Sequence, residues 1–170
     1  IVTDLVVEVS LKDDKLDPGD YLDLEGLVED INGEDVKVEV ILKFDEEEFV
    51  DDFSRGIFNI KEGLKENIAS GVHELYVIVK DENGNSKEEV LSFEVIPKEE
   101  SLVLEVFDSD LSPEEELTFK ADLIDQAGEL IDSELDFILY DPQGDEFFRD
   151  DFVSGDEYKY LLPSSMEPGT

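Results

Sequence analysis

Two runs of carboxylates are the residues of this chain best suited to chemistry. Asp45-Glu46-Glu47-Glu48 is followed closely by Asp51-Asp52, and Asp145-Glu146 by Asp150-Asp151. Ca²⁺ takes roughly six to eight oxygens from carboxylates and carbonyls. Acidic connections at one end of a folded unit supply them, which makes Asp45, Glu46, Glu48, Asp51, Asp52, Asp150 and Asp151 the candidate calcium ligands. The competing reading is a solvated acidic face. Neither run has the spacing of an EF-hand loop, with its central Gly and distal bidentate Glu. Asp30-Ile31-Asn32-Gly33 and Asp81-Glu82-Asn83-Gly84 begin like one and then fail, and turn chemistry accounts for both.

Other chemistry is poorly served. His73 is the only histidine and cysteine is absent, so a transition-metal site or an activated nucleophile lacks partners. The alternation Val72-His73-Glu74-Leu75 puts His73 on the side of Leu75 and Val77, which predicts an inward, hydrogen-bonded corner residue. No serine has a plausible base beside it in sequence, against a hydrolytic triad. A pair of acids at glycosidase separation means nothing here, because with 49 Asp+Glu some pair always meets that distance. The chain reads as non-enzymatic and as needing no cofactor, calcium being the one ion it invites.

The elements that would position these residues are strands. Leu5, Val7, Val9 and Leu11 alternate with Val6, Glu8, Ser10 and Lys12, Leu22, Leu24, Gly26 and Val28 with mostly acidic neighbours, and then Val36, Val38, Val40, Leu42 and Phe44 with Lys37, Glu39, Ile41 and Lys43. A period of two marks strands with one face buried. Asn32-Gly33 and Asn83-Gly84 supply the positive φ of tight hairpins. Asp45–Asp52 reads as an acidic connection anchored by Phe49 and Phe53, Ile57–Ile60 as a short edge strand, and Lys61–Ser70 as a loop with one helical turn. Leu75, Val77 and Val79 form a central strand, and Leu91, Phe93 and Val95 close a set of seven, the pattern of an antiparallel sandwich.

The scheme then repeats. Leu111-Ser112-Pro113 stands 95 positions after Leu16-Asp17-Pro18, and Leu117, Phe119, Ala121 and Leu123 match Leu22, Leu24, Gly26 and Val28 at the same offset. Leu135, Phe137 and Leu139 match Val38, Val40 and Leu42 at an offset of 97, and Phe148-Arg149-Asp150-Asp151-Phe152 echoes Phe49-Val50-Asp51-Asp52-Phe53. A duplicated block of this size argues for two modules of roughly 85–95 residues, residues 1–97 and 98–170, with Ile96–Glu100 as a short, Pro-stiffened linker. The second module has no counterpart of Leu75–Lys80 or of Val90–Val95. It is therefore expected to lack its last strands, with either further sequence or a strand from another chain filling the gap.

Pro18-Gly19-Asp20, Asp30-Ile31-Asn32-Gly33, Ser70-Gly71-Val72-His73 and Asp81-Glu82-Asn83-Gly84-Asn85 together resemble the prokaryotic immunoglobulin-like modules of cell-surface proteins. His73 stands where those modules often have Tyr. The resemblance implies two tandem immunoglobulin-like sandwiches in an extracellular, cell-surface protein: a surface-layer, stalk or spacer element that touches neighbouring copies or other surface proteins. The alternative is a glycan- or protein-binding accessory region of an adhesin or secreted enzyme, for which Tyr158 and Tyr160 are the candidate exposed aromatics.

Charge narrows the partners. The chain carries 13 Lys+Arg against 49 Asp+Glu, a net of −36 over 170 residues. Nine against 27 fall at or before residue 97 and four against 22 after it, so each part carries −18. Nucleic acid is an unsuitable partner for such a surface; divalent cations and basic proteins are suitable ones. No window approaches the roughly 18 apolar residues of a membrane span. The absence of cysteine fits a prokaryotic surface protein better than a small eukaryotic secreted one. The start at Ile1-Val2-Thr3, in strand pattern by Leu5, reads as a processed or trimmed segment.

Overall fold

The computed structural model describes residues 4–141 and 143–165. It is all-β. No helix occurs among these residues, and so none long and apolar enough to cross a membrane. The chain divides into two compact units, Ile1–Pro97 and Lys98–Thr170.

In the first unit β1 (Leu5–Leu11), β2 (Lys15–Leu16), β3 (Tyr21–Asp30), β4 (Val38–Phe44), β5 (Glu47–Phe53), β6 (Ile57–Gly63), β7 (Gly71–Asp81) and β8 (Ser86–Val95) follow one another. They form two sheets, β1-β3-β6 and β2-β8-β7-β4-β5. All pairings are antiparallel except the short β2 alongside β8. After β1 the chain thus crosses from one sheet to the edge of the other, an immunoglobulin-like arrangement. The inner rows read from sequence are the buried ones: Leu22, Leu24 and Val28 on β3, Val38, Val40 and Leu42 on β4, and Leu75, Val77 and Val79 on β7 are all at most 2% exposed.

Two expectations need correction. Asp45–Asp52 is not a connection: only Asp45 and Glu46 turn, and Glu47–Phe53 is the edge strand β5, with Phe49 opposite Leu42 and Phe53 opposite Val38. Its acidic residues hid the period of two that Phe49 and Phe53 maintain. Lys61–Ser70 contains no helical turn; β6 runs on to Gly63, and the following segment is pinned to the core by Leu64 and Ile68.

The second unit contains β9 (Glu99–Val106), β10 (Glu116–Asp125), β11 (Glu134–Tyr140), β12 (Glu146–Val153) and β13 (Glu157–Leu161), in a sheet β13-β10-β9 and a ribbon β11-β12. β9 takes up the last two residues of the expected linker. The duplication extends to register. Leu102, Leu104 and Val106 lie opposite Leu123, Ala121 and Phe119, as Val7, Val9 and Leu11 lie opposite Val28, Gly26 and Leu24. Its core is smaller and aromatic: Phe119 stacks on Phe137 at 4.0 Å and meets Phe152 edge-on at 5.2 Å.

One difference between the copies follows from packing. Gly26 lies opposite Phe58, and a Cβ at Gly26 would come within 2.0 Å of the Phe58 ring. In the second unit the position of Gly26 holds Ala121, where the pairing of β10 with β13 ends at Lys120–Glu157 and brings no ring across. Gly26→Val should destabilise the first unit by about 1–3 kcal/mol, the usual penalty of overpacking. The Phe58→Ala background should recover much of that loss, a coupling that a double-mutant cycle in urea measures directly.

Candidate functional site

The alternation of strands scatters the acidic runs. Neighbouring residues on β5 and β12 point to opposite faces, so a run of carboxylates in sequence is not a cluster in space. Glu46 is exposed in the turn, and Glu48 pairs with Lys43 across the ladder at 2.7 Å. Asp51 lies on the inner row of β5 between Phe49 and Phe53, while Asp52 is on the outer row opposite Glu39. Asp150 and Asp151 repeat this on β12. Asp150 shares the row of Phe148 and Phe152 and accepts a hydrogen bond from the Tyr158 hydroxyl, and Asp151 lies opposite Asp136. Among the described residues no three acidic or histidine side chains converge to hold a metal ion.

Asp45 does something else. It sits at φ +49 in the β4–β5 turn, a left-handed conformation that Asp tolerates better than most residues. Both of its carboxylate oxygens lie 3.0 Å from Nδ1 of His73, while Nε2 of His73 lies 2.9 Å from the Ala69 carbonyl. His73 is 7% exposed and stacks on Phe93 at 5.2 Å. It is the buried corner residue that its alternation predicts. Both ring nitrogens are thus engaged by oxygen atoms of the protein. The arrangement clamps the β4–β5 turn and the segment before β7 together. Beside it a cleft of about 420 Å³ is lined by Phe44, Phe49 and Ile68 together with the Lys65–Glu47 ion pair. The partner of Asp45 could not be read from the sequence, since the two residues are 28 positions apart.

Other carboxylates that looked chemical are also occupied. Asp30 accepts from the backbone N–H of Asn32 and Glu34, Asp81 from Asn83 and Asn85, Asp125 from Ala127 and Glu129, and Asp141 from Gln143 and Asp145. Each closes a turn whose Gly, at Gly33, Gly84, Gly128 or Gly144, has φ between +77 and +89. The backbone of Glu34 and the side chain and backbone of Asn32 hold Asp30 below the usual carboxylate range. Burial pushes Asp81 up, but the donors of Asn85 and Asn83 outweigh it and hold it low.

Tyr158 and Tyr160 are half-buried rather than exposed. Tyr158 packs on Phe119 at 5.3 Å, and its hydroxyl is pushed up to about 12 by its hydrogen bond to Asp150, with burial adding to the shift. Tyr160 stacks on Phe148 at 3.9 Å. The exposed rings among the described residues are instead Tyr21, Tyr76, Phe107, Tyr140 and Phe147. Alternation alone did not separate these from the core, because whether a ring is covered depends on the opposite sheet.

No family profile and no curated protein matches the chain. Comparison of folds finds trypsin-activated α2-macroglobulin from Escherichia coli, at 13% identity and a TM-score of 0.41 over 94% of this chain. The chain spans only 13% of the length of that protein. It also finds the sporulation control protein Spo0M of Bacillus subtilis, at 12% identity and a TM-score of 0.40, covering 90% of this chain and 91% of that one. A Ca²⁺-stabilised adhesin with which an Antarctic bacterium binds ice is similar at 11% identity and a TM-score of 0.35, over 94% and 40% of the two chains. These are likenesses of all-β build and carry no argument about activity.

Asp45→Ala should destabilise the first unit by about 1–3 kcal/mol, because it leaves a buried His73 nitrogen without its acceptor. Urea unfolding followed by the amide signals of β4 and β7 measures it, and an unchanged midpoint would refute the clamp. Acid should weaken the same unit. Asp30 and Asp81 sit below their ordinary value when folded, so their contribution is complete above about pH 4 and is lost as the pH falls through the folded values. The Asp30→Asn, Asp81→Asn double variant should therefore lose less stability than the parent between pH 5 and pH 3, each in about 0.1 M salt.

Proposed function

We infer that the chain is a non-catalytic structural or adhesive module of an extracellular prokaryotic surface protein, in a surface-layer, stalk or spacer role. One observation carries this reading. The same strand scheme is laid down twice in the same register, and both copies bear the same net charge of −18. Repeating a rigid unit sets a length, and an acidic coat on each unit keeps crowded copies apart and draws cations between them. The side chains that resemble chemical groups support the reading as well. The His73 ring is held at both nitrogens, and the turn carboxylates are engaged by backbone N–H groups.

The partners of this reading are neighbouring copies or other surface proteins, with divalent cations among the counter-ions. It requires no cofactor. Since the candidate calcium ligands are dispersed, cations act here through the diffuse field of the surface. Thermal unfolding should show this: NaCl, MgCl₂ and CaCl₂ at equal ionic strength should raise Tm alike, by screening self-repulsion. A rise specific to millimolar Ca²⁺ of about 4–8 °C, equivalent to about 1 kcal/mol, would instead require an assembled calcium site. Fractionation of the producing cells tests location, and recovery of the protein from the cytosol alone would overturn the surface role.

A further inference from the structure

The clamp of Asp45 and His73 also bears on the cleft beside it. The lining of that cleft comes from two stretches of the first unit: the end of β4 with the turn into β5, and the segment that leads from β6 to β7. His73 holds an oxygen of each, the Asp45 carboxylate at 3.0 Å and the Ala69 carbonyl at 2.9 Å. The two stretches are therefore tied at a set separation. The space of about 420 Å³ that they enclose lies within the roughly 300–1,000 Å³ of preformed clefts for small molecules.

The lining is divided by chemistry. Phe44 and Phe49, stacked with ring centres 5.8 Å apart, and Ile68 make one part aromatic and apolar. Asp45, Glu46 and Glu47 supply carboxylates, of which Asp45 is engaged by His73 and Glu47 by Lys65. The Glu46 carboxylate is exposed and has no ion pair or hydrogen bond among the described residues. The hydrogen bond and charge of Glu47 hold the Lys65 ammonium above its ordinary value, and the charge of Glu46 adds to this. Lys65 itself shows what the cleft accepts: a hydrocarbon stem whose ammonium meets a carboxylate. The second unit keeps the strand scheme without this arrangement. At the offset of 97 that relates β4 to β11, Phe44 corresponds to Asp141, which closes a turn, and Phe148, the counterpart of Phe49, stacks on Tyr160.

We propose that this cleft binds a small organic ammonium ion, whose apolar body packs on Phe44, Phe49 and Ile68 and whose charged end meets Glu46. Charge selects the cation. An anion would meet three carboxylates on a chain that carries −36, and such a field repels it from a distance as well. A neutral molecule gains the apolar contact alone, and an inorganic cation gains nothing from it. Aromatic rings suit both halves of an organic ammonium, since their faces attract a cation and their area buries hydrocarbon. The site does not depend on the spacer role, and either can fail alone.

The test titrates 2-phenylethylammonium chloride into the 170-residue chain at constant ionic strength and follows the amide and methyl signals by NMR. Saturable shifts should gather over residues 44–49 and 63–69 and leave residues 134–153 unmoved. Ethylammonium has the charge without the ring, and 3-phenylpropionate has the ring with the opposite charge; neither should move these signals at the same concentration. Glu46→Gln changes an exposed side chain, so it should keep the parent's spectrum and weaken binding about two- to fivefold, the range of an exposed ion pair. Phe49→Leu keeps an apolar residue on the inner row and should weaken binding by about as much through loss of the ring. No saturable shift at about 10 mM probe, ten times a millimolar Kd, would overturn the proposal. Equal shifts with 3-phenylpropionate, or undiminished binding by Glu46→Gln, would do the same. Tighter binding of Nα-acetyl-lysine methylamide than of 2-phenylethylammonium would assign the cleft to a lysine of a partner protein and overturn it too.

Discussion

The inner row of a strand has to be covered from across the sandwich, and most of this molecule follows from how far that demand is met. A pleated strand presents alternate residues to one side, and an apolar row left in water forfeits roughly 25 cal/mol for each Å² it could have buried. In the first unit two sheets close on each other, and Leu24, Val40, Leu75, Val77 and Val79 reach 0% exposure. In the second, the rows are as apolar but the opposing surface is smaller. There the fully buried cluster contracts to Phe119, Ala121 and Phe152, with Phe137 and Tyr158 packed round it. Large rings dominate what is buried there, because each buries more area than an aliphatic residue and gains from edge and stacked contacts.

Polar groups are subordinate to the same demand. Turns must fall where the inner rows end, and four of them do so with an Asp whose carboxylate takes the N–H groups two and four residues on: Asp81 and Asp141 close hairpins, while Asp30 and Asp125 close turns that lead from one sheet to another. A buried corner must hold a turn in place, and Asp45 with His73 does that. In an acidic protein these roles are easily mistaken for ligand chemistry, since the residue types are those of a calcium site and only the third dimension shows which oxygens are already engaged.

The strands and their inner faces were legible because alternation is a local property: Leu22 to Val28 and Val36 to Phe44 declare themselves within a few residues. The turns were legible for a similar reason, through Asn-Gly and Asp at fixed spacing, although the one at Asn32-Gly33 is not the expected hairpin: β3 and β4, which it joins, lie in different sheets. β5 was not, because on an edge strand charged residues occupy both rows and Asp51 and Asp52 erase the period that Phe49 and Phe53 keep. The Asp45–His73 pair was not, because it joins residues far apart in sequence through the antiparallel pairing of β4 with β7. Nor was the partial burial of Tyr158 and Tyr160, which depends on Phe119 and Phe148 in other strands.

The Asp that each unit sets between two Phe residues on its outermost strand has a consequence for growth. A further strand laid beside β5 or β12 would extend a face on which Asp51 or Asp150 has to keep contact with water, and inward charge of this kind is how natural sheets deter edge-to-edge association. The two copies therefore carry the same guard, at Asp51 and at Asp150, on the strand that ends each sheet or ribbon.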